Sequence, residues 1–240
     1  MAAAGIRINA ASSGVHYTSS IDGTANDWAI TGWMSVDGTN GSSHGQMPFL
    51  IGNAGGFITV SPTDHTDDNA SPWSINLWCL GDGSGVDTNM CAPVTGEAWF
   101  YAITYAHVSK QMYAYFVKDG GTLARIDAGT SHNGFTIDTI AVGGTTIYGW
   151  QSNVSCRNVK MWVGGTTLSQ SEIDAERHSE APVRATNLYG DWRLLSSAGL
   201  TDSSGNGRTM TIDGTVTSSL TLDPVDIQAT TRRRLLCLVT

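Results

Sequence analysis

The chain has 240 residues, of which 40% are hydrophobic and only 14% charged, with 28 glycines, eight tryptophans and seven tyrosines. Disorder requires few apolar residues and dense charge, so this chain folds, and its length suffices for one substantial core. The net charge of −8, with three of the thirteen cations gathered at Arg232, Arg233 and Arg234, repels phosphate backbones and argues against nucleic acid as a partner.

Membrane insertion and export are not expected either. No run of about 18 apolar residues is present, and Met1-Ala-Ala-Ala-Gly5 lacks the basic and apolar regions of a signal peptide. Four cysteines, Cys79, Cys91, Cys156 and Cys237, are more in keeping with free buried thiols than with staples, because a core of this size needs none. If any two pair, the short loop between Cys79 and Cys91 favours those.

Glycine, serine, threonine and asparagine between short apolar runs predict many strands joined by tight turns. Strands are expected at 6–10 and 17–20. Across 27–34, bulky apolar residues alternate with small ones. Trp28, Ile30, Gly32 and Met34 share one face and Trp33 takes the other, which predicts a strand covered on both sides. Segments 49–51 and 57–60 form a pair across Gly52-Asn53-Ala54-Gly55-Gly56, and 74–80 is a further strand. Segments 99–105, 111–117 and 123–126, separated by turns at 106–110 and 118–121, form an antiparallel meander. Further strands are expected at 139–142, 154–163, 188–194, 209–212 and 225–228.

One helix interrupts this pattern. Ser169 followed three residues later by Glu172 is a capping box, and Leu168 with Ile173 is spaced as a hydrophobic staple, predicting a short helix over 169–178.

Several stretches, in order, resemble the laminin G-like and pentraxin-like members of the concanavalin A-like superfamily. They are Trp28-Ala-Ile-Thr-Gly-Trp33-Met; Trp99-Phe-Tyr-Ala-Ile-Thr-Tyr105 with Met112-Tyr-Ala-Tyr-Phe-Val117-Lys-Asp-Gly120; and Ile140-Ala-Val-Gly-Gly144, Val159-Lys-Met-Trp162 and the capped helix. Leu188-Tyr-Gly-Asp-Trp-Arg-Leu194 and Asp202-Ser-Ser-Gly-Asn-Gly207 complete the set. The resemblance implies an all-β, antiparallel two-sheet jelly-roll sandwich over residues 1–217. Residues 218–240 have no counterpart in it, and 218–223 reads as a hinge. In sequence style the chain also resembles head, tail and decoration proteins of tailed phages, which implies a virion structural role, virion partners and a homo-oligomer.

Candidate chemistry is sparse. A glycosidase needs two carboxylates about 5–9.5 Å apart, yet the four glutamates fall at Glu97, which opens a strand, and at Glu172, Glu176 and Glu180, which follow the capping box. No nucleophile elbow, phosphate loop or zinc spacing is present, so no enzyme is expected. Asp64, Asp67 and Asp68 crowd one loop and are either a solvated acidic turn or ligands for calcium, which the superfamily often carries. Asp202 and Asn206 are expected to satisfy backbone amides in a turn.

Sugar recognition uses exposed aromatic faces with planar polar groups. Trp73, Tyr148 and Trp150 sit in loop-like contexts and are the carbohydrate candidates, with loop packing the other reading of Trp150. Trp28, Trp33, Trp78, Trp99, Trp162 and Trp192 lie in strands and belong to the core. The C-terminal segment places Arg232, Arg233 and Arg234 directly before Leu235 and Leu236. It is either a last strand with solvated arginines or an arm that pairs with a neighbouring subunit. Two functions follow: a virion structural protein, or a lectin-like module binding surface glycans.

Overall fold

The computed structural model describes residues 5–8, 13–37, 49–53, 56–61, 76–80, 96–129, 132–143, 153–197, 199–219 and 222. The strands are β1 (Gly5–Ile8), β2 (Gly14–Asp22), β3 (Trp28–Val36), β4 (Phe49–Asn53), β5 (Gly56–Ser61), β6 (Asn76–Leu80), β7 (Ala98–Ala106), β8 (Gln111–Lys118), β9 (Ala124–Gly129), β10 (Thr136–Gly143) and β11 (Val154–Val163). Helix α1 (Gln170–Arg177) follows, then β12 (Leu188–Trp192), β13 (Thr211–Asp213) and β14 (Val216–Ser219). All strand pairs are antiparallel. An eight-stranded sheet runs β14-β1-β11-β3-β7-β8-β9, with β12 also on β11, and a six-stranded sheet runs β13-β2-β10-β4-β5-β6.

The two sheets enclose the main core, built from Ile6, Ile8, Val15, Trp28, Ile30, Met34, Phe49, Ile51, Tyr101, Ile140, Val142 and their neighbours. Gly32 belongs here for a steric reason. It lies opposite Tyr101, and a Cβ on it would sit 2.4 Å from the phenol oxygen, so the missing side chain makes room for a ring that stacks on Phe49 at 4.5 Å. A second, outer cluster lies on the other face of the large sheet, where Ala29, Trp33, Phe100, Ala102, Tyr115, Val117 and Trp162 are covered by Leu168 and Ile173. Burial on both faces explains why all nine residues of β3 are buried.

The capping box forms as expected. The Ser169 hydroxyl accepts from the Glu172 amide at 3.3 Å, and the Glu172 carboxylate accepts from the Ser169 amide at 2.8 Å. Leu168 and Ile173, the staple, are both buried. The helix thus lands on the large sheet with its entry angle fixed.

Strand β11 occupies 154–163, as expected, but contains a bulge the alternation does not announce. Asn158 has φ 56°, and the register against β3 shifts between Arg157 and Lys160. The extra residue reverses the facing parity, so Val154 and Cys156 before it and Val159 and Met161 after it all enter the main core. The bulge also divides one edge of β11 between two strands, β1 before it and β12 after it.

Strand β14 crosses the expected boundary at 217. It pairs with β1 from Gly5 opposite Ser219 to Ile8 opposite Val216 and so fills the open edge of β1, running into the first two residues of the expected 218–223 hinge, and Leu222 beyond it is fully buried. The expected strand at 225–228 lies outside the described residues. Cys156 is a buried thiol outside any disulfide, as expected; Cys91 and Cys237 lie outside the described residues too.

Candidate functional site

Trp73, Tyr148 and Trp150 lie outside the described residues, as do Asp64, Asp67 and Asp68 and the C-terminal Arg232, Arg233, Arg234, Leu235 and Leu236. The strand ends that flank their segments are described. Gly143, the last residue of β10, is opposite Gly14; Val142 is opposite Phe49, the first residue of β4; Leu50 is opposite Thr59; and Ser61, the last residue of β5, is opposite Asn76, the first of β6. Segments 62–75 and 144–152 are therefore anchored at the same end of the six-stranded sheet. Their anchors, Ser61 and Gly143, are two strand spacings apart, about 10 Å. The topology brings together the anchors of two groups of candidates that are far apart in the chain.

The charges described near that end are engaged by the fold. Asp37 accepts from the hydroxyls of Ser35 at 3.0 Å and Ser155 at 2.6 Å and faces Arg7 Nε at 3.4 Å. His16 Nδ1 meets Asp213 at 2.8 Å.

The helix-bearing face is closed by an ionic network that the sequence does not announce. Lys160 and Glu176 have fully buried side chains joined at 2.6 Å, and the Lys160 ammonium also donates to the Ser179 carbonyl at 3.0 Å. Burial pushes Glu176 up and Lys160 down in pKa, and the attraction of each for the other only partly offsets it. Arg157 pairs with Glu180, and Trp162 Nε1 donates to the Arg184 carbonyl at 2.8 Å. The one available signal was Lys160 itself, a charge set among Val159, Met161 and Trp162.

Beside the helix lies a cavity of about 510 Å³, lined by Gly121, Leu123, Gln170, Asp174 and Arg177 among others. Its cation is committed to the fold: Arg177 donates to the Gly121 carbonyl at 2.8 Å and to His178 at 2.9 Å and pairs with Asp174 at 3.2 Å.

The Gly-rich turn behaves as expected at Asp202, whereas Asn206 serves backbone carbonyls and not amides. The Asp202 carboxylate accepts from the amides of Asp191, Ser204 and Arg208 and from the Ser204 hydroxyl, and the Asn206 amide donates to the carbonyls of Leu188 and Tyr189. Burial acts to raise the Asp202 pKa, but these donors outweigh it and hold the carboxyl below its usual value. Asp191, behind it, is buried with neither carboxylate oxygen hydrogen-bonded among the described residues, and burial raises its pKa.

All four glutamates are thus bound to cations: Glu97 to Lys118, Glu172 to Arg184, Glu176 to Lys160 and Glu180 to Arg157. Among the described residues no group of three or more His, Cys, Asp or Glu is arranged to hold a metal ion.

No protein-family model matches the chain, and no curated protein is significantly similar to it. Solved structures do match. A native heptameric SAP-like pentraxin from Limulus polyphemus superposes with a TM-score of 0.53 at 10% identity, covering 92% of this chain and 97% of that one. The chain has the concanavalin A-like jelly-roll fold. A putative carbohydrate binding protein from Bacteroides ovatus ATCC 8483 shares the jelly roll with a TM-score of 0.55 at 15% identity, covering 90% of this chain and 60% of that one. The expected virion role gains no support from either neighbour.

Proposed function

We propose that the chain is a non-enzymatic, carbohydrate-binding jelly roll that works as a homo-oligomer. The observation that supports it most is the likeness, over nine-tenths of the chain, to a heptameric pentraxin and to a putative carbohydrate binding protein. The engagement of every glutamate in an ion pair points the same way.

In this reading the sugar site is assembled where segments 62–75 and 144–152 are anchored. Trp73, Tyr148 and Trp150 supply aromatic faces for the apolar side of a sugar ring, and Asp64, Asp67 and Asp68 supply hard oxygen ligands for calcium. A glycan array probed with the full chain, with and without a calcium chelator, tests it. The expected result is binding to a restricted glycan set, lost on chelation and weakened at least about tenfold in Trp150→Ala. Binding to no glycan would remove the reading; binding that survives chelation would remove calcium from it.

A further inference from the structure

Strand β9 ends the eight-stranded sheet and, among the described residues, pairs only with β8. An edge of this kind presents unpaired amides and carbonyls that template another strand. Natural edges are commonly blunted by charge of one sign, which repels itself. This edge carries Arg125 and Asp127, of opposite sign, on either side of Ile126, and both charged residues are exposed.

We infer that β9 pairs antiparallel with β9 of a second copy of this chain about a twofold axis at Ile126, joining two eight-stranded sheets into one. In that register Arg125 of each copy lies opposite Asp127 of the other, so two opposite-charge pairs form at once, and Ile126 lies opposite its own counterpart. Centring the axis on Arg125 or on Asp127 would place like charges opposite each other. The charge pattern therefore selects one register.

Three features of the edge suit it to this. Both side chains are held on the outer face by β8: the Arg125 guanidinium lies 4.4 Å over the Tyr113 ring, and Gln111 donates to the Asp127 carboxylate at 2.5 Å. Ile126 packs against the main core but is only half-buried, so a second strand would cover apolar surface that the single chain leaves open. The irregularity of the β8–β9 ladder falls between Met112 and Tyr113, so 124–127 keep an unbroken register.

The inference deepens the homo-oligomer part of the proposed function and rests on nothing in its sugar-binding part. Sedimentation equilibrium of the full chain tests it by mass, whatever the outcome of the glycan array. The wild type should self-associate. Arg125→Asp and Asp127→Arg should each weaken association by at least about tenfold, because each places two like-charge pairs across the axis. An equimolar mixture of the two should associate as a heterodimer, and the double swap Arg125→Asp with Asp127→Arg should recover self-association. The milder Arg125→Gln and Asp127→Asn keep the test readable if a reversal disturbs folding, and each should weaken association by a smaller factor. A monomeric wild type, association indifferent to these substitutions, or a mixture that stays monomeric would each overturn the pairing.

Discussion

The two sheets of this jelly roll have different surroundings. The eight-stranded sheet is covered on both faces at its centre, by the smaller sheet within and by α1 and its flanking turns without, and its central strand β3 is buried at every residue. In the six-stranded sheet the outer face is open only in part: β2 has Val15 and Ile21 buried and Thr18, Ser20 and Asp22 exposed, whereas β4 is buried from Phe49 to Gly52. A sheet covered on both sides must pair whatever charge it contains, which is why Lys160 is locked to Glu176. The helix-bearing side thus carries stability, and the proposed function assigns recognition to the segments at the end of the smaller sheet.

The largest effect that would sharpen this contrast is on the outer cluster. Trp33→Ala should cost about 3–5 kcal/mol in denaturant unfolding, the usual range for emptying a buried aromatic site, whereas Thr18→Ala on the open face should stay within about 0.5 kcal/mol. Equal costs would mean that the two faces do not differ as described.

Next comes the buried pair. Glu176→Gln should destabilise by about 3–5 kcal/mol because it leaves the Lys160 ammonium buried without its counter-charge, while Lys160→Met combined with Glu176→Leu should recover most of that loss. A double variant as unstable as the single one would show that the pair is held for geometry, not for charge.

A smaller effect is expected at Asp202. Its carboxyl sits below the usual pKa in the fold, so its contribution is present above the unfolded value and is lost as pH falls through the folded one. Asp202→Asn should cost about 1.5–3 kcal/mol at neutral pH and flatten the acid limb of the stability curve. Glu176 and Asp191, raised by burial, act in the opposite sense and favour the fold as pH falls towards their folded values. An unchanged acid limb in Asp202→Asn would assign that limb to other carboxylates.

Features governed by nearby residues were legible in the sequence. The Ser169–Glu172 capping box, the two-faced character of Trp28–Val36, the β7–β8 hairpin and the amide-satisfying role of Asp202 each follow from spacings of a few residues, and all are present. Features set by distant partners were not. The bulge at Asn158 depends on β1 and β12 sharing one edge of β11; β14 depends on the open edge of β1; and Lys160 meets Glu176 only once the helix folds back. Ser61 and Gly143, the residues from which segments 62–75 and 144–152 leave the sheet, come together only through the strand order β10-β4-β5.

The most direct test of the division between a stabilising side and a recognising side is glycan binding measured for Trp150→Ala and Thr122→Ala together with the wild type. Thr122 lines the cavity beside α1. The account predicts that Trp150→Ala loses binding at unchanged stability while Thr122→Ala binds as the wild type does. Loss of binding in Thr122→Ala with Trp150→Ala unaffected would place recognition on the helix-bearing side and contradict it.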